Sequence, residues 1–200
     1  MVYELITYYY PSKQAETFKS FIGKNYYRDK SFIKTLTQGN DKNIVIKLED
    51  NQKIKEFPDT PLFRTLKDFY ENEKENLTNY AYEMRIVGRL VQYIHKGNYV
   101  DQEVKCSEKD AAVDFVISNK KLPLTTTLTD SIIKDLKLEI CEVKLSQNTR
   151  KDTIAKDIQK LIDVYNELKG KHKIHCYFIF IELQEKPGIA VFEIKPSEKL

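Results

Sequence analysis

Three charged residues lie inside apolar segments of the chain, where an unpaired charge is costly to bury. Asp114 interrupts the segment Ala-Ala-Val-Asp-Phe-Val-Ile, and Glu142 and Lys144 lie within Leu-Glu-Ile-Cys-Glu-Val-Lys-Leu. Both segments have the composition of strands. Because side chains alternate along a strand, Glu142 and Lys144 share one face while Val143 points to the opposite one. We therefore expect the charged side chains to have a function that offsets the cost of burying them.

The chemistry that these residue types suit is metal-dependent hydrolysis. If the two strands are neighbours, Asp114 stands beside Glu142. Two converging carboxylates suit a hard divalent cation such as Mg²⁺, with Mn²⁺ as a substitute, because such ions take oxygen ligands and usually retain water. The cation would polarise a phosphoryl oxygen and offset charge at the leaving oxygen, and the ammonium group of Lys144 would orient or help to deprotonate the attacking water.

Position, rather than spacing, distinguishes Glu142 and Lys144 from other pairs in the chain. The Glu-x-Lys spacing occurs four times, at Glu103/Lys105, Glu142/Lys144, Glu167/Lys169 and Glu193/Lys195. Only the second pair has an acidic residue on the preceding apolar strand and a helix directly after it. The alternative interpretation is an exposed sheet face that carries ordinary charges.

The elements that position these residues are predicted by hydrophobic periodicity. From residue 80 onward we predict the order helix, three strands, helix, strand, strand. The predicted ranges are Tyr80–Lys96, Tyr99–Cys106, Ala112–Ile117, Leu136–Leu145, Thr149–Leu168, Ile174–Leu183 and Ile189–Ile194. Three consecutive strands can form a meander, and the later helix permits a crossover to a parallel neighbour. The order predicts an α/β fold with a mixed central β-sheet flanked by helices.

Residues 1–75 are predicted to form an N-terminal α/β extension of a core at residues 76–200. The predicted elements are a strand at Val2–Tyr10, a helix at Gln14–Ile22, a strand at Asn43–Glu49 and a helix at Leu62–Glu75, with Pro58 and Pro61 before the last of them. No motif in this segment indicates a function. We expect it to serve target recognition, dimerisation to a homodimer, or docking of a partner protein.

Residues 83–195, a little over half of the chain, resemble the PD-(D/E)xK nucleases. The resemblance rests on a strand acid, a hairpin, Glu-x-Lys on the next strand, a helix and a further strand. It implies a restriction endonuclease-like core, with Asp114 and Glu142 as metal ligands assisted by the carbonyl group of Val143. It also implies that Lys144 serves the attacking water. Some members add an acid from the helix before the sheet, and Glu83 occupies that place.

The sequence departs from the pattern of this family in three ways. Val113 stands where the motif has proline, as in many members. The interval from Asp114 to Glu142 is 142 − 114 = 28 residues, which requires a threonine-rich excursion. The Gln-x-x-x-Tyr pattern of one branch is absent, because Gln159 and Tyr165 are six residues apart. The third difference argues against a close relationship with that branch.

The resemblance implies a divalent-metal-dependent endonuclease that hydrolyses DNA, with RNA left open, in restriction or phage defence. Basic residues around the second helix are candidates for phosphate contacts, and two polar residues are candidates to line the cleft. The basic candidates are Arg150, Lys151, Lys156 and Lys160, on or beside the helix predicted at Thr149–Leu168, and the polar candidates are Gln147 and Asn148. A lysine-rich solvated helix is the alternative. The second functional hypothesis is a non-catalytic nucleic-acid-binding or assembly module on the same fold.

Composition and charge limit the classes of protein to which the chain can belong. The chain has 200 residues, of which 41% are apolar, and its 33 basic and 30 acidic residues leave a net charge of +3. Global charge therefore does not indicate a nucleic-acid partner. No apolar run approaches the ~20 residues that span a bilayer, and we expect no membrane association. Three cysteines lie in apolar segments, which favours buried free thiols and a cytoplasmic location.

Overall fold

The computed structural model describes ten segments of the chain. They are residues 2–12, 45–47, 54–79, 82–94, 97–106, 112–122, 127–128, 135–145, 151–183 and 187–197. The helix predicted at Gln14–Ile22 lies outside these segments. So do Gln147, Asn148 and Arg150, three of the predicted nucleic-acid contacts.

The described residues form an α/β fold around one mixed sheet of seven strands. The strands are β1 (Val2–Tyr10), β2 (Val45–Lys47), β3 (Tyr99–Val104), β4 (Val113–Ser118), β5 (Lys137–Leu145), β6 (Lys173–Glu182) and β7 (Gly188–Pro196). The helices are α1 (Pro61–Glu73), α2 (Glu83–Leu90) and α3 (Lys151–Leu168), with 3₁₀ turns at Leu77–Asn79 and Val91–Tyr93. The sheet order is β2-β1-β7-β6-β5-β4-β3. The predicted fold class, a mixed sheet flanked by helices, is confirmed at this level.

The strand pairings agree with the predicted meander and crossover. Strands β3, β4 and β5 pair antiparallel in succession. Helix α3 then connects β5 to β6, and these two strands pair in parallel. Strand β7 lies antiparallel to β6. Since β5 has β4 on one side and β6 on the other, a side chain from the middle of β5 is held between two strands.

Helices cover both faces of the sheet. On one face α3 packs Ile158, Leu161 and Ile162 against residues such as Ile140 and Phe178. On the other face, apolar side chains of α1 and α2 form a second core with Tyr177, Ile179 and Ile181 of β6. These side chains include Leu62, Leu66, Phe69, Ile86 and Leu90. Strand β6 is therefore buried on both faces, which explains why its sequence is almost continuously apolar.

The N-terminal segment belongs to the same sheet. Strand β1 pairs antiparallel with β7 from Tyr3 opposite Pro196 to Tyr10 opposite Ile189. Helix α1 also packs on the shared second core. The described part of residues 1–75 therefore extends the sheet of residues 76–200. The roles expected for this segment in recognition or docking stay predictions.

Two further predictions, one for a helix and one for the cysteines, can be compared with the structure. The helix predicted at Tyr80–Lys96 is shorter: α2 ends at Leu90, a 3₁₀ turn follows, and Ile94 is extended with ψ 124°. Apolar spacing continues through this turn, so periodicity alone could not locate the end of α2. The three cysteines, Cys106, Cys141 and Cys176, are buried free thiols, as predicted. Among the helices in the described segments, none is long and apolar enough to cross a bilayer.

Candidate active site

The antiparallel pairing of β4 and β5 brings Asp114 to Glu142. Phe115 lies opposite Cys141, so the next pair along the two strands is Asp114 and Glu142. The Oδ2 atom of Asp114 accepts a hydrogen bond of 2.6 Å from the backbone N–H of Val143. This bond holds the carboxylate against β5. The convergence of the two acids that the sequence predicted is therefore present.

Glu142 is the most deeply buried acid of the cluster. Its side chain is 2% exposed, and its Oε1 atom lies 2.5 Å from Nζ of Lys160 on α3. Burial raises the pKa of Glu142 to about 7, and the negative charge of Asp114 acts in the same direction. Lys160 opposes both effects. The carboxylate thus changes protonation state near neutral pH, as groups in functional sites often do.

Lys144 lies on the same face of β5 and is held by three oxygen atoms. Its Nζ atom donates hydrogen bonds to Oε1 of Glu83 at 2.6 Å and to the carbonyl oxygen of Val143 at 3.0 Å. Oδ2 of Asp157 lies 3.5 Å from the same nitrogen. Burial lowers the pKa of Lys144, but the bond to Glu83 and the charge of Asp157 outweigh it, and the pKa is raised. The side chain is therefore an ammonium donor at neutral pH.

Glu83 reaches the site from the first turn of α2. The chain folds so that this residue, 61 positions before Lys144, forms an ion pair with it. Burial raises the pKa of the Glu83 carboxyl group, although the hydrogen bond from Lys144 lowers it. The structure thus places this predicted residue beside the predicted lysine. Its contact fixes the direction of the ammonium group.

The sequence analysis did not identify Asp157 as a member of the cluster. It predicted Lys160 only as a residue that contacts phosphate groups. Both lie on α3, and Lys160 Nζ is 4.0 Å from Oδ1 of Asp157. The signal for Asp157 was available, because it falls three residues after Ile154 and four before Leu161, on the apolar stripe of the helix. An acid on that stripe faces the sheet.

The residues predicted to contact nucleic acid are only partly covered by the structure. Lys156 is exposed on α3, and Lys151 is the first residue of that helix. Lys156 is thus available to a phosphate group, although no partner is present to contact. The expected contacts of the whole set with DNA stay predictions.

Two carboxylates and one carbonyl oxygen are the donors that this site could offer to a hard cation. Within the described residues, no three His, Cys, Asp or Glu side chains are grouped so as to hold a metal ion together. Mg²⁺ is commonly held by one or two carboxylates with water completing its shell, and Asp114, Glu142 and the carbonyl oxygen of Val143 offer that kind of set. In the described part of the chain, Oε1 of Glu142 accepts no well-directed hydrogen bond. The nearest charged group to this oxygen atom is the ammonium group of Lys160, at 2.5 Å.

Comparisons of the chain with protein-family models, with characterised proteins and with solved structures give no match.

Proposed function

We propose that this chain is a divalent-metal-dependent endonuclease that hydrolyses DNA phosphodiester bonds on a restriction endonuclease-like core. One observation carries the proposal: Asp114 and Glu142 converge from adjacent strands, with Lys144 on the same face of β5. Burying this much charge costs free energy that a purely structural sheet would avoid. A site that binds a cation and stabilises a charged transition state explains the arrangement.

Each residue has a defined task in the proposed reaction. A bound Mg²⁺ or Mn²⁺ ion would supply Lewis-acid polarisation of the scissile phosphate. Asp114, Glu142 and the carbonyl oxygen of Val143 would hold it. Lys144 is charged and its ammonium group is oriented by Glu83, so it would donate hydrogen bonds to the oxygen atoms on which negative charge develops. This role agrees with the raised pKa of Lys144 better than removal of a proton from water does.

The remaining parts of the proposal concern substrate and setting. Arg150, Lys151 and Lys156 would contact phosphate groups, with Gln147 and Asn148 along the cleft, and binding would weaken as salt concentration rises. Residues 1–75 would contribute recognition, a homodimer contact or a docking site. A cytoplasmic role in restriction or phage defence is proposed by family analogy.

A cleavage assay tests the proposed function. Plasmid, linear and single-stranded DNA, and RNA, are incubated with Mg²⁺ or Mn²⁺ and with wild type, Glu142→Gln or Glu167→Gln. Glu167 is the matched control, because it is also a Glu-x-Lys glutamate but is exposed near the end of α3. We expect metal-dependent cutting that Glu142→Gln abolishes and Glu167→Gln preserves. Equal cutting by all three proteins would show that the activity arises elsewhere.

The non-catalytic nucleic-acid-binding or assembly module is the second candidate. It is favoured by the two lysines that already neutralise part of the acidic cluster, since such a network can be structural. This candidate predicts DNA binding without a divalent cation and no rise in melting temperature when Mg²⁺ or Mn²⁺ is added. The nuclease proposal predicts a rise that depends on Glu142.

A further inference from the structure

Lys160 reaches the site from α3, the helix that covers the sheet face on which Glu142 and Lys144 lie. Its Nζ atom lies 2.5 Å from Oε1 of Glu142 and donates a hydrogen bond of 3.1 Å to the carbonyl oxygen of Ala112. The side chain is 18% exposed, so most of its length is enclosed between α3 and the sheet. A solvated lysine on a helix surface would not make these contacts.

The charges of the cluster explain why Lys160 is held there. Four carboxylates (Glu83, Asp114, Glu142, Asp157) and two ammonium groups (Lys144, Lys160) would leave two negative charges in excess if all were ionised. Lys144 is directed to Glu83 and Asp157. Lys160 is therefore the cation that lies against Glu142, with its Nζ atom 2.5 Å from Oε1.

A divalent cation coordinated by Oε1 of Glu142 would take the position next to this atom that Nζ of Lys160 occupies. Metal-oxygen distances for Mg²⁺ are about 2.1 Å, so the ion and the Nζ atom would lie within a few ångströms of each other. Two positive charges at that separation in a partly buried site repel each other strongly, because little water lies between them to screen the repulsion. Binding of the metal at Oε1 of Glu142 therefore competes with the ammonium group of Lys160 for this atom.

We infer that Lys160 is an internal counter-cation that occupies the metal position on Glu142 until a divalent cation displaces it. The inference rests on the proposed function, since it assumes that Asp114 and Glu142 hold a metal. It assigns Lys160 as a positioning residue that sets metal affinity. Its flexible four-carbon stem would let the released ammonium group turn toward a substrate phosphate.

The test measures Mn²⁺ binding to the full chain without DNA, at pH 8.5, by electron paramagnetic resonance of the free ion. The proteins are wild type, Lys160→Met, Lys160→Arg, Glu142→Gln and Lys169→Met. Lys169→Met removes the same charge from an exposed position just beyond α3. Lys160→Gln, which keeps a polar end, replaces Lys160→Met if the latter does not fold by circular dichroism.

We expect Lys160→Met to bind Mn²⁺ at least about tenfold more tightly than wild type, because a competing charge has been removed. Lys160→Arg and Lys169→Met should bind as wild type does. Unchanged or weaker Mn²⁺ binding by Lys160→Met would overturn the inference about Lys160. If Glu142→Gln loses Mn²⁺ binding in the same experiment, the proposed metal site is still supported. If Glu142→Gln binds as wild type, or if neither wild type nor Lys160→Met binds, the metal site fails as well.

Discussion

The side chain of Glu142 is removed from water, next to the charge of Asp114 and against the ammonium group of Lys160. Burial and Asp114 favour its protonated form, whereas Lys160 favours the ionised form. The folded protein therefore binds a proton at Glu142 at pH values where the unfolded chain has already released it. Its stability must then fall as pH rises through this range.

The first prediction follows from this fall in stability with rising pH. The pKa of Glu142 lies at about 7 against an ordinary 4.5, so wild type should lose up to roughly 3 kcal/mol between about pH 4.5 and pH 8 from this group alone. Urea unfolding of wild type and Glu142→Gln across this range measures the difference between their free energies of unfolding. The contributions of other acids cancel in this difference. A difference that does not change with pH would contradict the raised pKa.

The second prediction concerns Lys144. Replacing it with methionine removes the ammonium group that Glu83 and Val143 aim into the site. We expect the cleavage rate to fall by about 10²-fold or more, while Mn²⁺ binding is retained. Lys144→Arg keeps the charge and is the matched control, expected to retain more activity. Turnover of Lys144→Met at the wild-type rate would remove this residue from the mechanism.

At the scale of single residues, the sequence predicts part of the site. Asp114, Glu142 and Lys144 could be predicted because strand alternation places charges among residues that must be buried. The position of Asp157 on the apolar stripe of α3 indicates that it faces the sheet, but the contacts of Asp157 and Lys160 within the site could not be derived from the sequence. They depend on the rotation of α3 over the sheet, which is set by packing of Ile158 and Leu161 rather than by local sequence.

At the scale of elements, a contact between layers fixes the start of α1. Thr60 is the N-cap residue of this helix, but its side chain makes no capping hydrogen bond. Instead, Oε2 of Glu139 on β5 accepts a bond of 3.0 Å from the backbone N–H of Leu62. A carboxylate from the sheet thus satisfies an open donor at the helix N-terminus, where negative charge is favourable.

The third prediction is that Glu139→Ala lowers the free energy of unfolding by about 1–2 kcal/mol, because it removes this cap. Glu139→Gln retains an oxygen acceptor and should cost less. Chemical denaturation of both variants measures the two effects. Equal losses would show that the charge of Glu139, rather than its hydrogen bond, stabilises α1.

Element order was predictable, while some boundaries and this cap were not. The periodicities of α3 and β6 are long and uninterrupted, and both elements were found within two residues of their predicted ends. The predicted end of α2 was wrong because the apolar pattern continues into the 3₁₀ turn that follows the helix. The cap joins residues 77 positions apart, a contact that no local pattern encodes.

At the scale of the whole molecule, the N-terminal strand completes the sheet. Strand β1 covers the edge of β7 that would otherwise expose unpaired backbone groups. Tyr3, Leu5 and Tyr9 contribute to one core, and Tyr8 to the other. The sequence predicted β1 as a strand, but its partner lies at the opposite end of the chain and could not be inferred from local pattern.

The fourth prediction is that a fragment of residues 76–200 does not fold cooperatively. Deleting residues 1–75 removes β1 and α1, exposes the edge of β7 and uncovers apolar residues such as Tyr177 and Val191. Thermal unfolding followed by circular dichroism should show no sharp transition for the fragment, in contrast to the full chain. A cooperative transition in the fragment would show that the core is independent of its extension.

The measurement that tests the central claim most directly is a double-substitution series on cleavage. Asp114→Asn, Glu142→Gln and the double variant are compared with wild type under single-turnover conditions with Mg²⁺, after each is shown to be folded. If the two carboxylates act as one metal site, each single substitution should remove at least about 10³-fold of the rate, and the double variant should lose little more. Losses that multiply, or wild-type rates in either single variant, would contradict a shared site.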